Sequence, residues 1–363
     1  MGQPLRIGVV GCGTISGVYL DTLHRLEPVE VTAVADLDAA RAEAVAAQRG
    51  LRALPVAELL TDDQVDLVLN LTIPAAHAEV ALAALAAGKE VYGEKPLAAT
   101  TAEAREVLAA AGRAGLRVGC APDTVLGTGI QTARRAVDDG LVGAPVAATA
   151  TMVTPGHERW HPDPDFYYQP GGGPLLDMGP YYVTALVTLL GPVASVLGAS
   201  SRPRATRTIG SGPRQGQSVP VAVDTHVTGV LVHESGALST LVMSFDGTGT
   251  TAAPIELHGE QGTLLVPDPN RFDGDVLLQT PEDRTVWQTL PVSAGYRDAA
   301  RGYGVADLAT TPAGTLPRAS GELALHVLEV MEGVLQAAEL GRSVEITGTA
   351  ARTPAVPLGD LTA

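Results

Sequence analysis

Short apolar runs alternate with stretches of helical periodicity over the first third of the chain. Residues 5–10 (LRIGVV), 29–35 (VEVTAVA) and 65–73 (VDLVLNLTI) read as buried strands, and 89–96 (KEVYGEKP) and 116–122 (LRVGCAP) add two more. Helical patterns fill 17–26, 38–49, 79–87 and 101–114, with Gly88 closing the third of them. Residues 51–63 read as a short strand and turn, and Pro74 as the start of a turn. Strands joined through single helices call for crossover connections, so a parallel sheet flanked by helices is the economical arrangement.

Beyond Asp123 the period changes. A helix over 131–140 leads to Gly143, and then PVAATATMV (145–153), VDTHVTGVLVH (223–233) and GALSTLVMSF (236–245) alternate with a period of two. Alternation of that kind predicts antiparallel strands of a sheet with one face in solvent. Residues 322–340 form an amphipathic helix, and no internal repeat is present. With 363 residues the chain is long enough for two cores. The change of pattern places the linker at Ala121–Thr124, giving a dinucleotide-binding domain over 1–122 and an α+β domain over 123–363.

Composition narrows the partners. A net charge of −16 disfavours nucleic acid, which needs clustered Lys and Arg, and disfavours an anionic membrane surface. No apolar run approaches the roughly 20 residues of a bilayer span. The start of the chain runs straight into a strand and a glycine turn rather than a signal segment, so a cytoplasmic protein is expected. Two cysteines, Cys12 and Cys120, offer neither a disulfide framework nor metal spacing. The 24 basic residues include only two lysines, Lys89 and Lys95. A lysine kept against that bias invites a chemical reason, because Lys can release its proton and Arg cannot.

The first strand, the turn Gly11-Cys-Gly13-Thr14-Ile15-Ser16, a helix, a second strand and then Asp36 follow the order of a dinucleotide-binding unit. Gly11 permits the tight turn, Gly13 lets the backbone approach a pyrophosphate, and the turn through Thr14 and Ile15 opens the helix whose N-terminus attracts that anion. Ser16 replaces the third glycine of the fingerprint. Asp36 would accept the ribose hydroxyls and repel a 2′-phosphate, which favours NAD while leaving NADP admissible. Thr72 and Pro74, with His77 just beyond, and Glu94-Lys95 fall at strand carboxyl ends, where ligands of such sheets bind.

Gly11-Cys-Gly13, TIPAAHAEVALAALAAGKEVYGEKP (72–96) and GGGPLLDMGPYYVTALVTLLG (171–191) together resemble the Gfo/Idh/MocA oxidoreductases, which include glucose–fructose oxidoreductase and inositol dehydrogenase. The resemblance covers nearly the whole chain. It implies an α/β N-terminal Rossmann domain plus an α+β C-terminal domain with a large open-faced, mostly antiparallel sheet. That sheet would carry a homodimer or homotetramer contact. It also implies that Lys95 reaches the nicotinamide ribose side and the substrate hydroxyl. The family's Asp-x-Gly-x-His motif reads Asp177-Met-Gly179-Pro-Tyr181, so the aspartate matches and Tyr181 stands in the histidine's place. Tyrosine at that position is the proton-transferring group in related sugar and diol dehydrogenases. Lys95 beside it could lower the phenol from its usual value of about 10.

HERWHPDPDFYYQPGGG (157–173) is the most unusual stretch. His157, His161, Asp163 and Asp165 hint at a metal, but Pro162 and Pro164 deny the helix that would align them, and no metal is expected. Trp160 offers a sugar ring a flat face and His161 a polar edge. The segment 200–217 carries four arginines and no acid, and reads as a solvated loop or inter-subunit arm. The expected reaction is hydride transfer between NAD(P) and a secondary alcohol of a sugar, glycoside or polyol. Its catalytic residues are Lys95, Tyr181 and Asp177. The alternatives are a cofactor-retaining glycoside lyase or hydrolase working through transient oxidation, and a non-catalytic NAD-binding sensor.

Overall fold

The computed structural model describes residues 3–361 apart from Ala313 and Thr349. The chain opens with β1 (Leu5–Val10), α1 (Ser16–Leu23), β2 (Val29–Ala35), α2 (Ala39–Arg49), β3 (Arg52–Ala53), α3 (Val56–Thr61) and β4 (Leu67–Asn70). It continues through α4 (Pro74–Ala86), β5 (Glu90–Gly93), α5 (Thr101–Ala114), β6 (Val118–Cys120), α6 (Thr128–Asp138) and β7 (Pro145–Val153). The long helix α7 (Pro174–Leu190) precedes β8 (Val193–Ser201), β9 (Thr206–Thr208), β10 (Ser218–Pro220), β11 (His226–His233) and β12 (Leu238–Ser244). Then come β13 (Ile255–Gly259), β14 (Thr263–Val266), β15 (Leu277–Thr280), β16 (Asp283–Thr289), α8 (Tyr303–Thr310), α9 (Gly321–Leu340) and β17 (Val344–Glu345).

Two compact units result. The first comprises Met1–Gln131, Ser293–Leu325 and Thr353–Ala363, and the second Thr132–Val292 and His326–Arg352. Where the sequence reading places one boundary after residue 122, the units part after Gln131, and the first also takes two later segments of the chain.

The first unit is built on a parallel sheet in the order β3-β2-β1-β4-β5-β6. The order reverses between β1 and β4, which opens a crevice at their carboxyl ends. Ile7, Val9, Val34, Leu67 and Leu69 are sealed from solvent, as expected of strands covered on both faces. Pro74 is the first residue of α4 rather than a turn, since a missing N–H costs nothing at that position. Helix α3 was not read from the sequence; its six residues are too few to display a period. The returning segment locks onto the β6 edge, where Cys120 N–H donates to Ala319 at 2.9 Å and the Arg117 guanidinium reaches the Leu308 and Thr311 carbonyls. Buried Asp123 accepts from the Gly302 and Gly304 amides at 2.8 and 3.0 Å and so caps α8.

The second unit holds a nine-stranded sheet, β16-β15-β14-β13-β7-β12-β11-β8-β17. It is mostly antiparallel, but β7 and β12 run parallel, against the all-antiparallel reading of these segments. Alternation records which face is buried and carries no information on direction. Val227, Leu231, Leu241 and Met243 are buried on one face, against which α7 packs. Helix α9 comes so close that a Cβ at Gly198 would lie 2.1 Å from the Val334 carbonyl oxygen. Thr149, Leu197, Thr228, Val230, Leu238 and Thr240 line the opposite face, exposed or half-exposed.

Candidate active site

The residues singled out in the sequence divide between the two units. In the first, β1 delivers the chain into the Gly11–Ser16 turn. Gly11 has φ +103°, and a Cβ there would sit 2.7 Å from the Leu71 carbonyl, so internal geometry demands glycine. Gly13 is different. A Cβ on it would meet nothing within 4 Å, so no packing inside the protein explains its missing side chain. The space suits a ligand that comes against the backbone. Ile15 caps α1 without any side-chain bond; the Ser16 and Val18 amides turn back to the Gly13 and Ile15 carbonyls at 3.1 Å each, while the Gly17 amide between them meets no acceptor among the described residues and is open to an anion. Ser16 tightens the turn by donating its hydroxyl to the Gly13 carbonyl at 2.7 Å.

Asp36, at the end of β2, accepts from the Cys12 amide at 2.7 Å and the Asp38 amide at 2.9 Å, with the Arg41 guanidinium 3.6 Å away. Two amides fix the carboxylate and leave it lone pairs for ribose hydroxyls. Burial, aided by Asp36, pushes the Cys12 thiol up to about 11, so it is an inert part of the turn. Beside this turn, Leu37 is 99% exposed and Ile73 is 69% exposed. Apolar side chains presented that openly on strand ends suit a flat aromatic base. The residues present therefore fit a dinucleotide: glycine space and free amides for phosphate, a fixed carboxylate for ribose, apolar surfaces for the base.

At the end of β4, Asn70 is buried and accepts from both the amide and the hydroxyl of Thr72, while its own amide donates to the His77 carbonyl. His77 is also buried. Its ring nitrogens lie 2.6 Å from the Pro96 carbonyl and 3.0 Å from the Thr72 carbonyl. Both nitrogens thus face carbonyls of the chain. His77 ties the β4–α4 turn to the segment after β5, and both of those carry site residues. Glu94 is held by the Tyr19 hydroxyl at 2.8 Å and by the Lys95 amide at 3.0 Å. Burial and the Glu94 charge hold the Tyr19 phenol well above its usual range, so Tyr19 acts as a donor. The backbone of Lys95 is thereby fixed, followed by a cis peptide to Pro96.

In the second unit, Asp177 lies in the first turn of α7 with Tyr181 one turn further on, largely buried at 6% exposure. Residues four apart on a helix share a face. The glycine between them has a packing reason, because a Cβ at Gly179 would lie 2.7 Å from the Met331 sulfur on α9. The neighbouring Tyr182 is set apart: its hydroxyl reaches toward Asp268 at 3.5 Å, and burial pushes its phenol up.

His157 Nε2 lies 3.0 Å from Asp177 Oδ2. The imidazole sits among the rings of Phe245, Tyr167 and Trp160, at centroid distances of 4.5, 4.6 and 5.4 Å. The sequence reading missed this pairing. One signal was available: a chain with 4% aromatic residues places Trp160, Phe166, Tyr167 and Tyr168 within nine positions. Trp160 and Phe166 remain largely exposed, with His161 between them at 5.4 Å from each ring.

The loop is pinned from below. Glu158 accepts from the Tyr168 hydroxyl and from Arg207, and Arg207 also reaches Asp246 at 2.6 Å and the Phe245 carbonyl at 3.0 Å. Arg214 clamps Asp163 and Asp165. The arginine-rich segment is largely exposed, as expected, but through Arg207 and Arg214 it also neutralises the acids of the 157–168 loop. Among the described residues no group of three His, Cys, Asp or Glu side chains converges as a metal site would require.

Comparison with known proteins agrees with these features. The profile described as "Oxidoreductase family, NAD-binding Rossmann fold" matches residues 5–121, and "GFO/IDH/MocA C-terminal domain" matches residues 130–265. The chain belongs to the Gfo/Idh/MocA oxidoreductase family. It is 31% identical to the dTDP-3,4-didehydro-2,6-dideoxy-alpha-D-glucose 3-reductase of Saccharopolyspora spinosa, over 73% of this chain and 75% of that one. It is 27% identical to the 1,5-anhydro-D-fructose reductase of Ensifer adhaerens, over 94% and 98% of the two chains. Among solved structures, an NAD-binding oxidoreductase from Klebsiella pneumoniae superposes with a TM-score of 0.81 at 25% identity, covering 95% of this chain and 100% of that one. Membership makes the protein an NAD(P)-dependent oxidoreductase. No helix among the described residues is long and apolar enough to cross a membrane.

Proposed function

We propose that the protein interconverts a secondary alcohol and a ketone on a sugar, glycoside or polyol, using NAD in preference to NADP. The observation that carries this reading is the Gly13 space beside the open Gly17 amide at the start of α1, which suits the phosphates of a dinucleotide in a chain of this family. Bound nicotinamide would supply the hydride acceptor or donor. The protein would supply position and proton transfer. Gly11, Gly13, Thr14 and Ile15 would take the pyrophosphate, Asp36 the adenosine ribose, and Thr72, Pro74 and Glu94 the strand-end face of the cofactor. Lys95 would serve the nicotinamide ribose and the reacting hydroxyl. By the family's motif, Asp177 would orient a neighbouring hydroxyl and Tyr181, with Lys95, would exchange the proton. Trp160 and His161 would form one wall for the sugar ring. The exposed sheet face bearing Leu197, Val230 and Leu238 supports a homodimer or homotetramer.

The test is absorbance of NADH in the near ultraviolet, with the purified protein, NAD or NADP, and D-xylose, D-apiose, myo-inositol and related glycosides. Turnover of one of these compounds, faster with NAD than with NADP, supports the proposal. No turnover by protein shown separately to bind NAD contradicts it.

A further inference from the structure

The motif position at which this family keeps its histidine is Tyr181 here, yet Asp177 has an imidazole on it all the same. It comes from outside the helix, from a turn 20 residues earlier in the chain. We propose that His157 is a catalytic residue of the reaction above. In this assignment Asp177 and His157 form a carboxylate–imidazole dyad whose Nδ1 takes the proton of the reacting hydroxyl. The assignment rests on the proposed hydride transfer and changes only which side chain receives the proton.

Three observations support it. First, the carboxylate engages Nε2, and this fixes the tautomer, placing the proton on Nε2 and the basic lone pair on Nδ1. Nδ1 makes no hydrogen bond among the described residues and is not among the atoms sealed from solvent without a partner. Second, the ring is held in place by Phe245, Tyr167 and Trp160, and the backbone beneath it is held by Glu158, Arg207 and Asp246. That much support for one imidazole exceeds what an ordinary surface loop needs. Third, a neutral imidazole nitrogen offers a basic lone pair as it stands, whereas the Tyr181 phenol must first lose its own proton before it can take one.

The charged groups around the ring are few. Asp177 faces it from α7, and Tyr167 presents a ring edge from the 165–168 turn. Trp160 and Phe245 carry no charge. Glu158, next in the chain, is turned away toward Tyr168 and Arg207, and His161 lies beyond Trp160 and Tyr167. Among the described residues Asp177 is thus the one carboxylate hydrogen-bonded to the imidazole. In oxidation, the O–H proton passes to neutral Nδ1 and the C–H bond gives up its electron pair with hydrogen, as hydride, to the oxidised nicotinamide. A C=O bond forms. The resulting imidazolium is stabilised by Asp177 and releases its proton to solvent; reduction reverses each transfer.

The test uses the full chain with NAD+ and D-xylose, D-apiose and myo-inositol. His157→Asn should lower kcat by about 10²-fold or more, with a smaller change in KM, and should remove the acid limb of the kcat/KM pH profile. His157→Ala should recover rate on addition of free imidazole, which a purely structural loss would not allow. A readout independent of turnover is the emission of Trp160, 5.4 Å from the imidazole. In a Trp287→Phe, His161→Asn background, which removes the second indole and the second imidazole on Trp160, that emission should change with pH, and adding His157→Asn should abolish the change. Retention of the acid limb in His157→Asn, with its loss in Tyr181→Phe, would overturn the assignment and leave hydride transfer standing. Silence of the native protein with every compound would overturn the hydride-transfer reading and this assignment together.

Discussion

The Gly11–Asp36 region and the His157–Asp177 region are both preparations for a ligand, and they are made of different materials. The first consists of backbone: a glycine forced by a carbonyl 2.7 Å away, open space at Gly13, and a carboxylate fixed by the amides of Cys12 and Asp38. The second is made of side chains brought together from afar. Glu158 meets Arg207 49 positions later, and Arg207 meets Asp246 another 39 positions on. A seat for a constant group such as a dinucleotide can be written into local backbone geometry. A seat for a variable substrate is better built from exchangeable side chains on a pinned loop.

Substitutions in each region separate the two designs. The largest effect belongs to Lys95→Met, which should lower kcat by about 10²- to 10⁴-fold while NAD binding, followed by fluorescence, survives. Next is Arg207→Met. It leaves Glu158 buried without its cation, at a cost of roughly 3–5 kcal/mol, visible as a drop of about 10 °C in Tm. A Tm unchanged by this variant would mean that the second region is not held from below. Asp36→Ser should weaken NAD about tenfold, worth about 1.4 kcal/mol, with no fall in Tm and improved relative use of NADP.

A smaller effect concerns Asp123. Burial pushes its carboxyl up to about 6, against the pull of the Gly304 and Gly302 amides. The folded state therefore holds this proton more tightly than the unfolded state, so its contribution to stability falls as pH rises from about 4 to about 6. Both amides bond to one oxygen, which asparagine also offers. Asp123→Asn should accordingly flatten that slope in a Tm-against-pH series and be at least as stable as the native protein at pH 8. The smallest effect is expected for Trp160→Ala: KM raised several-fold for sugars, kcat and Tm nearly unchanged, consistent with an exposed stacking surface worth about 1 kcal/mol.

Much of the first region was legible in the sequence because each signal is local. Apolar runs gave the strands, Gly11 and Gly13 the turn, and the strand ends located Asp36, Thr72 and Glu94. The role of His77 was not legible, since nothing local says that both its nitrogens end on carbonyls. Tyr19 and Asn70 escaped for the same reason: their partners lie across the sheet or turn rather than along a helix face. In the second region, alternation gave strands but not direction, so the parallel pairing of β7 with β12 went unread. The spacing of Asp177 and Tyr181 was readable on α7. The histidine on Asp177 and the arginine beneath the loop depend on tertiary contacts and left only a local crowding of aromatic residues as a trace.

The proposed reaction turns on direct hydride transfer between a sugar carbon and the nicotinamide. It is tested by incubating the protein with NADH deuterated at the transferable C4 position and 1,5-anhydro-D-fructose or a related ketose, then locating the label by mass spectrometry. One deuterium is expected on the carbinol carbon of the product, with stoichiometric formation of NAD+. Consumption of the sugar with the label left in the cofactor would contradict it.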